Sequence, residues 1–228
     1  MFYGFDSTIV ILIPALIISA WAQFKVKSTF EKYSKVRSMN GLTGAQVARR
    51  LLDDEGLQHI SVQHIKGNLS DHYDPVNKVM RLSDSVYSST SIAAIGVAAH
   101  ETGHAIQHKN SYVPLKLRGA LVPVVNFSSN ASWIIFMAGL FFFKSSALIN
   151  IGILLFTTVV IFQIVTLPVE FDASNRALSV LENKGILYGD EVKKAKSVLS
   201  AAALTYVAAA LMSILQLVRL LALSRNRR

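Results

Sequence analysis

Apolar residues in this chain gather into four long runs separated by polar segments. The first extends from about Thr8 to Phe24 and is long enough to cross a bilayer at about 1.5 Å of helix rise per residue. The others extend from about Leu121 to Phe143, Ala147 to Pro168 and Val198 to Leu223. This pattern predicts a mostly α integral membrane protein of about four transmembrane helices, together with a small α+β unit. The segments predicted are an anchor (1–24), a polar segment (25–118), a transmembrane hairpin (119–168), a second polar segment (169–197) and a C-terminal helix with a basic tail (198–228). Lys144-Ser145-Ser146 marks the tip of the hairpin.

Charge orients these runs. Lys25, Lys27, Lys32, Lys35 and Arg37 follow the first run and do not precede it, so it reads as an uncleaved anchor with its amino terminus outside. Both polar segments then fall on the cytoplasmic side, and the hairpin tip carries only Lys144. The tail Arg225-Asn226-Arg227-Arg228 breaks this rule if the last run spans once. A turn back along the inner surface from about Gln216, with Arg219 snorkelling, is the alternative. Asn126, Ser128, Ser129 and Asn130 are costly against lipid and are expected to face protein or water.

Shorter signals structure the first polar segment. Thr43 is placed to cap a helix through Leu52 that Gly56 stops. Ile60 to Ile65 and Val79 to Leu82 read as strands, Asp74-Pro75-Val76-Asn77-Lys78 as a turn, and Asp71-His72-Tyr73-Asp74 as a turn or part of a cleft. Ser89, Thr90 or Ser91 can cap a helix running on through Ile92, Ile95 and Ala99, in which Gly96 and Gly103 suggest close approach of another backbone.

Composition narrows the class. The chain is 52% hydrophobic and 16% charged, with a mean hydropathy of +0.41, too apolar for an ordinary soluble domain. Its net charge of +9 sits in flanks of apolar runs without interleaved aromatics, which favours anionic lipid and excludes nucleic acid as a partner. There is no cysteine, so any metal must be held by histidines and carboxylates.

His100-Glu101-Thr102-Gly103-His104 reads H-E-x-x-H. Four residues apart on a helix, the two imidazoles project from one face and can grip one zinc ion, with Glu101 placed to take a proton from water held there. A catalytic zinc site needs a third protein ligand, which could come from His108, another histidine or a distant carboxylate. His108 lies a further helical turn along, and Gln107 and Asn110 stand where a metzincin needs glycine and histidine. Glu170 is the stronger candidate, because a carboxylate just past Pro168, at the end of an apolar run, is expensive unless paired or bound to a cation.

H-E-x-x-H, an apolar hairpin and then E-F-x-A together resemble the integral-membrane gluzincins, the group of heat-shock membrane proteases and CAAX-prenyl proteases. The strings Asp71-His72-Tyr73-Asp74-Pro75, Ala98 to His108 and Pro168 to Ser174 resemble a narrower set, the bacterial YugP-like membrane zinc metallopeptidases. The resemblance covers nearly the whole chain. It implies His100, His104 and Glu170 as ligands of one Zn2+, Glu101 as catalytic base, and a gluzincin-like catalytic unit. The wider group carries an Asp four residues after the ligand Glu; this chain has Ser174 there and Asp172 nearby, which leaves the partner of a ligand histidine unassigned.

The chemistry expected is peptide-bond hydrolysis, with Glu101 moving the proton from water to the leaving amine. Arg176, His72 and Tyr73 are candidates to face the oxyanion, and the strand from Val79 to Leu82 is a candidate edge for an extended substrate. Expected partners are protein or peptide substrates in or on the bacterial cytoplasmic membrane, the bilayer itself, and membrane-protein partners or further copies of the chain. The site is expected to face the cytoplasm. The rival reading is a zinc-binding membrane scaffold without turnover; an ion transporter built on Asn126 and Ser128 to Asn130 is weaker because those groups are neutral.

Overall fold

A computed structural model describes residues 7–225. A 3-10 turn, Ser7–Leu12, leads into α1 (Ile13–Ser34); Pro14 sits in the first α-helical turn, where its missing N–H costs little. There follow α2 (Gly44–Asp54), β1 (Ser61–Ile65), β2 (His72–Asp74), β3 (Val79–Ser83), α3 (Asp84–Tyr87) and α4 (Ile92–Lys109). Three long elements complete the chain: α5 (Val113–Met137, widening to a π turn over Ala138–Phe142), α6 (Ser146–Asn183) and α7 (Asp190–Arg225). Among the described residues four helices are long and apolar enough to cross a membrane, Thr8–Ser34, Val113–Phe142, Ser146–Asn183 and Asp190–Arg225. This is a mostly α membrane protein with one small sheet.

The chain divides into two compact units. One comprises Met1–Ala22, Lys116–Leu167 and Thr205–Arg228; the other comprises Gln23–Leu115 and Pro168–Leu204. The first has its core around Phe136, Leu140, Phe156, Val160 and Leu220. The second has two buried clusters, one joining Leu51, Ile92 and Ile95 to Leu181, Ile186 and Leu199, the other joining Leu52, Met80, Leu82 and Val86 to Ala94 and Ala98. Helix α4 contributes to both clusters, so its position is fixed from two sides.

Local sequence accounts for the ends of these elements. Thr43 caps α2 in a reciprocal capping box with Gln46, and Gly56 adopts φ +72° just beyond the helix. Ser91 caps α4 through the amide of Ala94. Lys144 adopts φ 46° at the tip of the α5–α6 hairpin.

The sheet corrects two expectations. Its order is β1-β3-β2, with β1 parallel and β2 antiparallel to β3. Val79 to Leu82 therefore lies in the central strand, both of whose edges are already paired, and cannot offer an edge to a substrate. Residues 72–74 are not a turn but the outer strand β2; the turn comes after them, where Asp74 accepts from the backbone of Val76 and Asn77 and from the Asn77 side chain.

Pro168 lies within α6, which continues as one helix to Asn183. Helix α7 does not turn back at Gln216 but continues to Arg225, through Leu217-Val218-Arg219-Leu220-Leu221, which holds no glycine or proline. Arg219 donates to the Thr8 hydroxyl at 3.2 Å, so its charge finds a polar partner on another helix. Asn226 to Arg228 lie outside the described residues. On α5, Ser128 is buried within the chain, and Asn126 and Asn130 are exposed on its surface.

Candidate metal centre

Helices α4 and α6 bring the candidate ligands together. Gly103 makes this approach feasible: a Cβ there would collide with the backbone carbonyl of Ala173 on α6. Gly96 is less demanding, since a Cβ would meet Ala195 of α7 at 3.6 Å, an ordinary contact. With the two backbones this close, one ligand atom each from His100, His104 and Glu170 falls within 4.8 Å of the others. His100 Nε2 and His104 Nε2 stand 3.3 and 3.6 Å from the same Glu170 oxygen, and the imidazoles meet edge to face with centroids 4.7 Å apart. The Glu170 side chain is only 3% exposed, and those of His100 and His104 are 15% and 12% exposed.

The outward-facing ring nitrogens are held as well. Gln107 is fully buried, and its Nε2 donates to Val169 O at 2.7 Å and to Asp172 Oδ2 at 2.8 Å. That fixes the amide, so Oε1 faces His104 Nδ1 at 3.0 Å. An acceptor at that point calls for the proton on Nδ1, the tautomer in which Nε2 can serve as a metal ligand. Asp172 is held in turn by Arg176, whose guanidinium also lies over the Tyr112 ring at 5.7 Å from its centroid. His100 Nδ1 meets Ser174 Oγ at 3.1 Å.

Ser174, four residues after Glu170, thus meets His100, and Asp172 reaches the other histidine through Gln107. Sequence reasoning missed Gln107. The available signal was its place three residues after His104, on the same helical face.

Glu101 is buried beside this cluster, and its hydrogen bond comes from the backbone amide of Tyr73 at 2.9 Å. Since that N–H points to α4, the outer edge of β2 faces the catalytic candidate. The Tyr73 hydroxyl meets His108 Nδ1 at 2.9 Å, which engages His108 away from any ligand role. Burial, and then the neighbouring Asp74 charge, push the Tyr73 hydroxyl pKa upward. Asp74 is held well below the usual carboxylate range by hydrogen bonds from the Asn77 side chain, the Asn77 amide and Arg81.

His72 and Arg176, candidates to face an oxyanion, are each held by groups of their own. His72 meets Ser70 O at 2.9 Å and Arg81 Nη1 at 3.3 Å, so both ring nitrogens are committed within the hairpin. Among the described residues neither His72 nor Arg176 hydrogen-bonds Glu101, His100 or His104.

The donor set fits zinc. Two imidazole nitrogens and one carboxylate oxygen suit a borderline ion; both Nε2 atoms converge on the carboxylate, and both Nδ1 atoms are anchored behind them.

Comparison with known proteins agrees with this chemistry. The family described as "Putative neutral zinc metallopeptidase" matches residues 8–225. The "Putative membrane protease YugP" of Bacillus subtilis (strain 168) is 51% identical over 220 residues, covering 96% of this chain and 97% of that protein. No solved structure matches the chain.

Proposed function

The chain belongs to the neutral zinc metallopeptidase family, and on that premise we propose that it is a membrane-embedded endopeptidase cutting membrane or membrane-associated proteins. His100, His104 and Glu170 hold one zinc ion in this reading, and Glu101 is the general base. The observation that carries it is the convergence of the three donor atoms within 4.8 Å, with buried Glu101 adjoining His100 on the same helix. When bound, zinc supplies a Lewis acid that acidifies water and polarises the scissile carbonyl. Glu101 accepts the proton of the attacking water and delivers it to the leaving amine. The Tyr73 amide keeps the Glu101 carboxylate oriented toward the site. Gln107 and Ser174 hold the imidazoles in place, and Arg176 acts at a distance, by fixing Asp172.

A membrane substrate is favoured because Glu170 follows the apolar run of α6 within one helical turn, and because the Bacillus relative is named a membrane protease. The positive flanks of the runs support a site facing the cytoplasm of a bacterial cell. Glu101→Gln tests the function. It should retain zinc and lose about 10²–10⁴-fold in cleavage of a membrane-protein substrate. Undiminished cleavage by this variant would refute the assignment of Glu101. If wild-type protein with full zinc cleaves no substrate, the non-enzymatic scaffold is the better reading.

A further inference from the structure

Two carboxamides stand on α5 where a lipid-facing helix has no use for them. Asn126 and Asn130 lie one turn apart, and both are exposed. Arg118 is the last charged residue before them and Lys144 the next after them. At about 1.5 Å per residue, Asn130 is about 18 Å from the first and about 21 Å from the second, in the middle of the apolar stretch. Asn126 is one turn nearer to Arg118. Neither carboxamide has a hydrogen-bond partner among the described residues. The chain's own packing takes other positions on this helix, where Ser128, Ser132 and Phe136 are buried. A bare amide in hydrocarbon is costly, because nothing there replaces its bonds to water.

We propose that this face of α5 is the interface between two copies of the chain in the membrane. A carboxamide carries both donors and an acceptor and is therefore complementary to itself. A twofold axis along the membrane normal sets Asn126 against its counterpart and Asn130 against its counterpart, so every polar group added by one copy is satisfied by the other. Val122, Asn126, Asn130 and Ile134 form a single row at four-residue spacing; Val122 and Ile134 are 40% and 69% exposed and close the polar pair with apolar contact at both ends. No charged residue occurs between Arg118 and Lys144, so the face offers nothing specific to a charged partner helix.

The absence of cysteine makes the test clean. Asn126→Cys and Asn130→Cys, each introduced alone into the full chain, are oxidised in native membranes beside Leu154→Cys, a control on the exposed face of α6. The expected result is a disulfide-linked species of twice the chain mass from the first two and none from the control. The double variant Asn126→Leu with Asn130→Leu should keep its helicity and dimerise about ten-fold more weakly in lipid nanodiscs. The proposal is overturned if neither cysteine cross-links, or if the link is to a protein of different mass, as a substrate helix would give. It is overturned equally if a membrane-impermeant maleimide labels both positions in place of the dimer, as a water-filled cavity would allow. Undiminished dimerisation of the double leucine variant would also reject it.

Discussion

The backbone amide of Tyr73 donates to a carboxylate oxygen of Glu101 at 2.9 Å, so the outer strand of the sheet and the H-E-x-x-H helix are joined at the proposed general base. In the ladder, Tyr73 lies opposite Met80, but its N–H is directed away from β3. Proline at this position removes the donor without taking a rung from the sheet, as an edge strand tolerates. Tyr73→Pro should keep fold and zinc content yet lose about 10–100-fold in peptide cleavage, the range expected when a hydrogen bond to a charged group is removed. Cleavage at the wild-type rate would show that the contact does not orient Glu101.

Gln107 and Ser174 support the two imidazoles unequally. Gln107 makes three hydrogen bonds that present an acceptor to His104 Nδ1, whereas a serine hydroxyl can give or accept at His100. Gln107→Ala should therefore weaken zinc binding by about 10–100-fold, and Ser174→Ala by less. Competition with a chromogenic chelator reads both affinities. The reverse ranking would contradict the assigned roles.

Gly103 admits the carbonyl of Ala173 where any side chain would collide with it. Gly103→Ala should separate α4 from α6, costing about 1–3 kcal/mol as overpacking does, and should lower zinc affinity in the same variant. Gly96→Ala provides the contrast, with a Cβ meeting only ordinary contact, and its melting temperature should stay near wild type. Equal melting temperatures for the two variants would remove the close approach as a requirement.

The hairpin behind Tyr73 should be sensitive to acid. Asp74 titrates below the ordinary carboxylate range because Asn77 and Arg81 donate to it. A depressed folded pKa gives stability that is complete above the unfolded value, about 3.9, and drains away as pH falls through the folded value. Asp74→Asn lacks this term, so the wild type should lose stability more steeply than the variant below about pH 4. Parallel acid-unfolding curves would show that the hydrogen bonds of Asp74 are not specific to its charged form.

Much of this architecture is legible in the sequence because it rests on local rules. Long apolar runs report spans, Thr43 with Gln46 and Ser91 report helix starts, and His100 with His104 report a helical face. The strand at 72–74 is hidden because three residues with two charged or polar side chains carry no periodicity; it forms through its pairing with β3. Central β3 and outer β1 read alike in sequence, since strand order is decided by tertiary packing. The continuity of α6 through Pro168 is equally invisible, because proline reports a weakened helix without saying whether the surroundings compensate. Gln107 was hidden for a different reason. A glutamine near the end of a helix is ordinarily a surface residue, and only the approach of α6 buries it against Val169 and Asp172.

The account rests on Glu170 completing the set begun by the two histidines. Metal analysis of purified full-length protein in detergent, wild type beside Glu170→Ala, addresses this directly. One zinc per chain is expected in the wild type and a small fraction of that in the variant, with helical content the same in both. Equal zinc in the two would place Glu170 outside the ligand set and contradict the proposed centre.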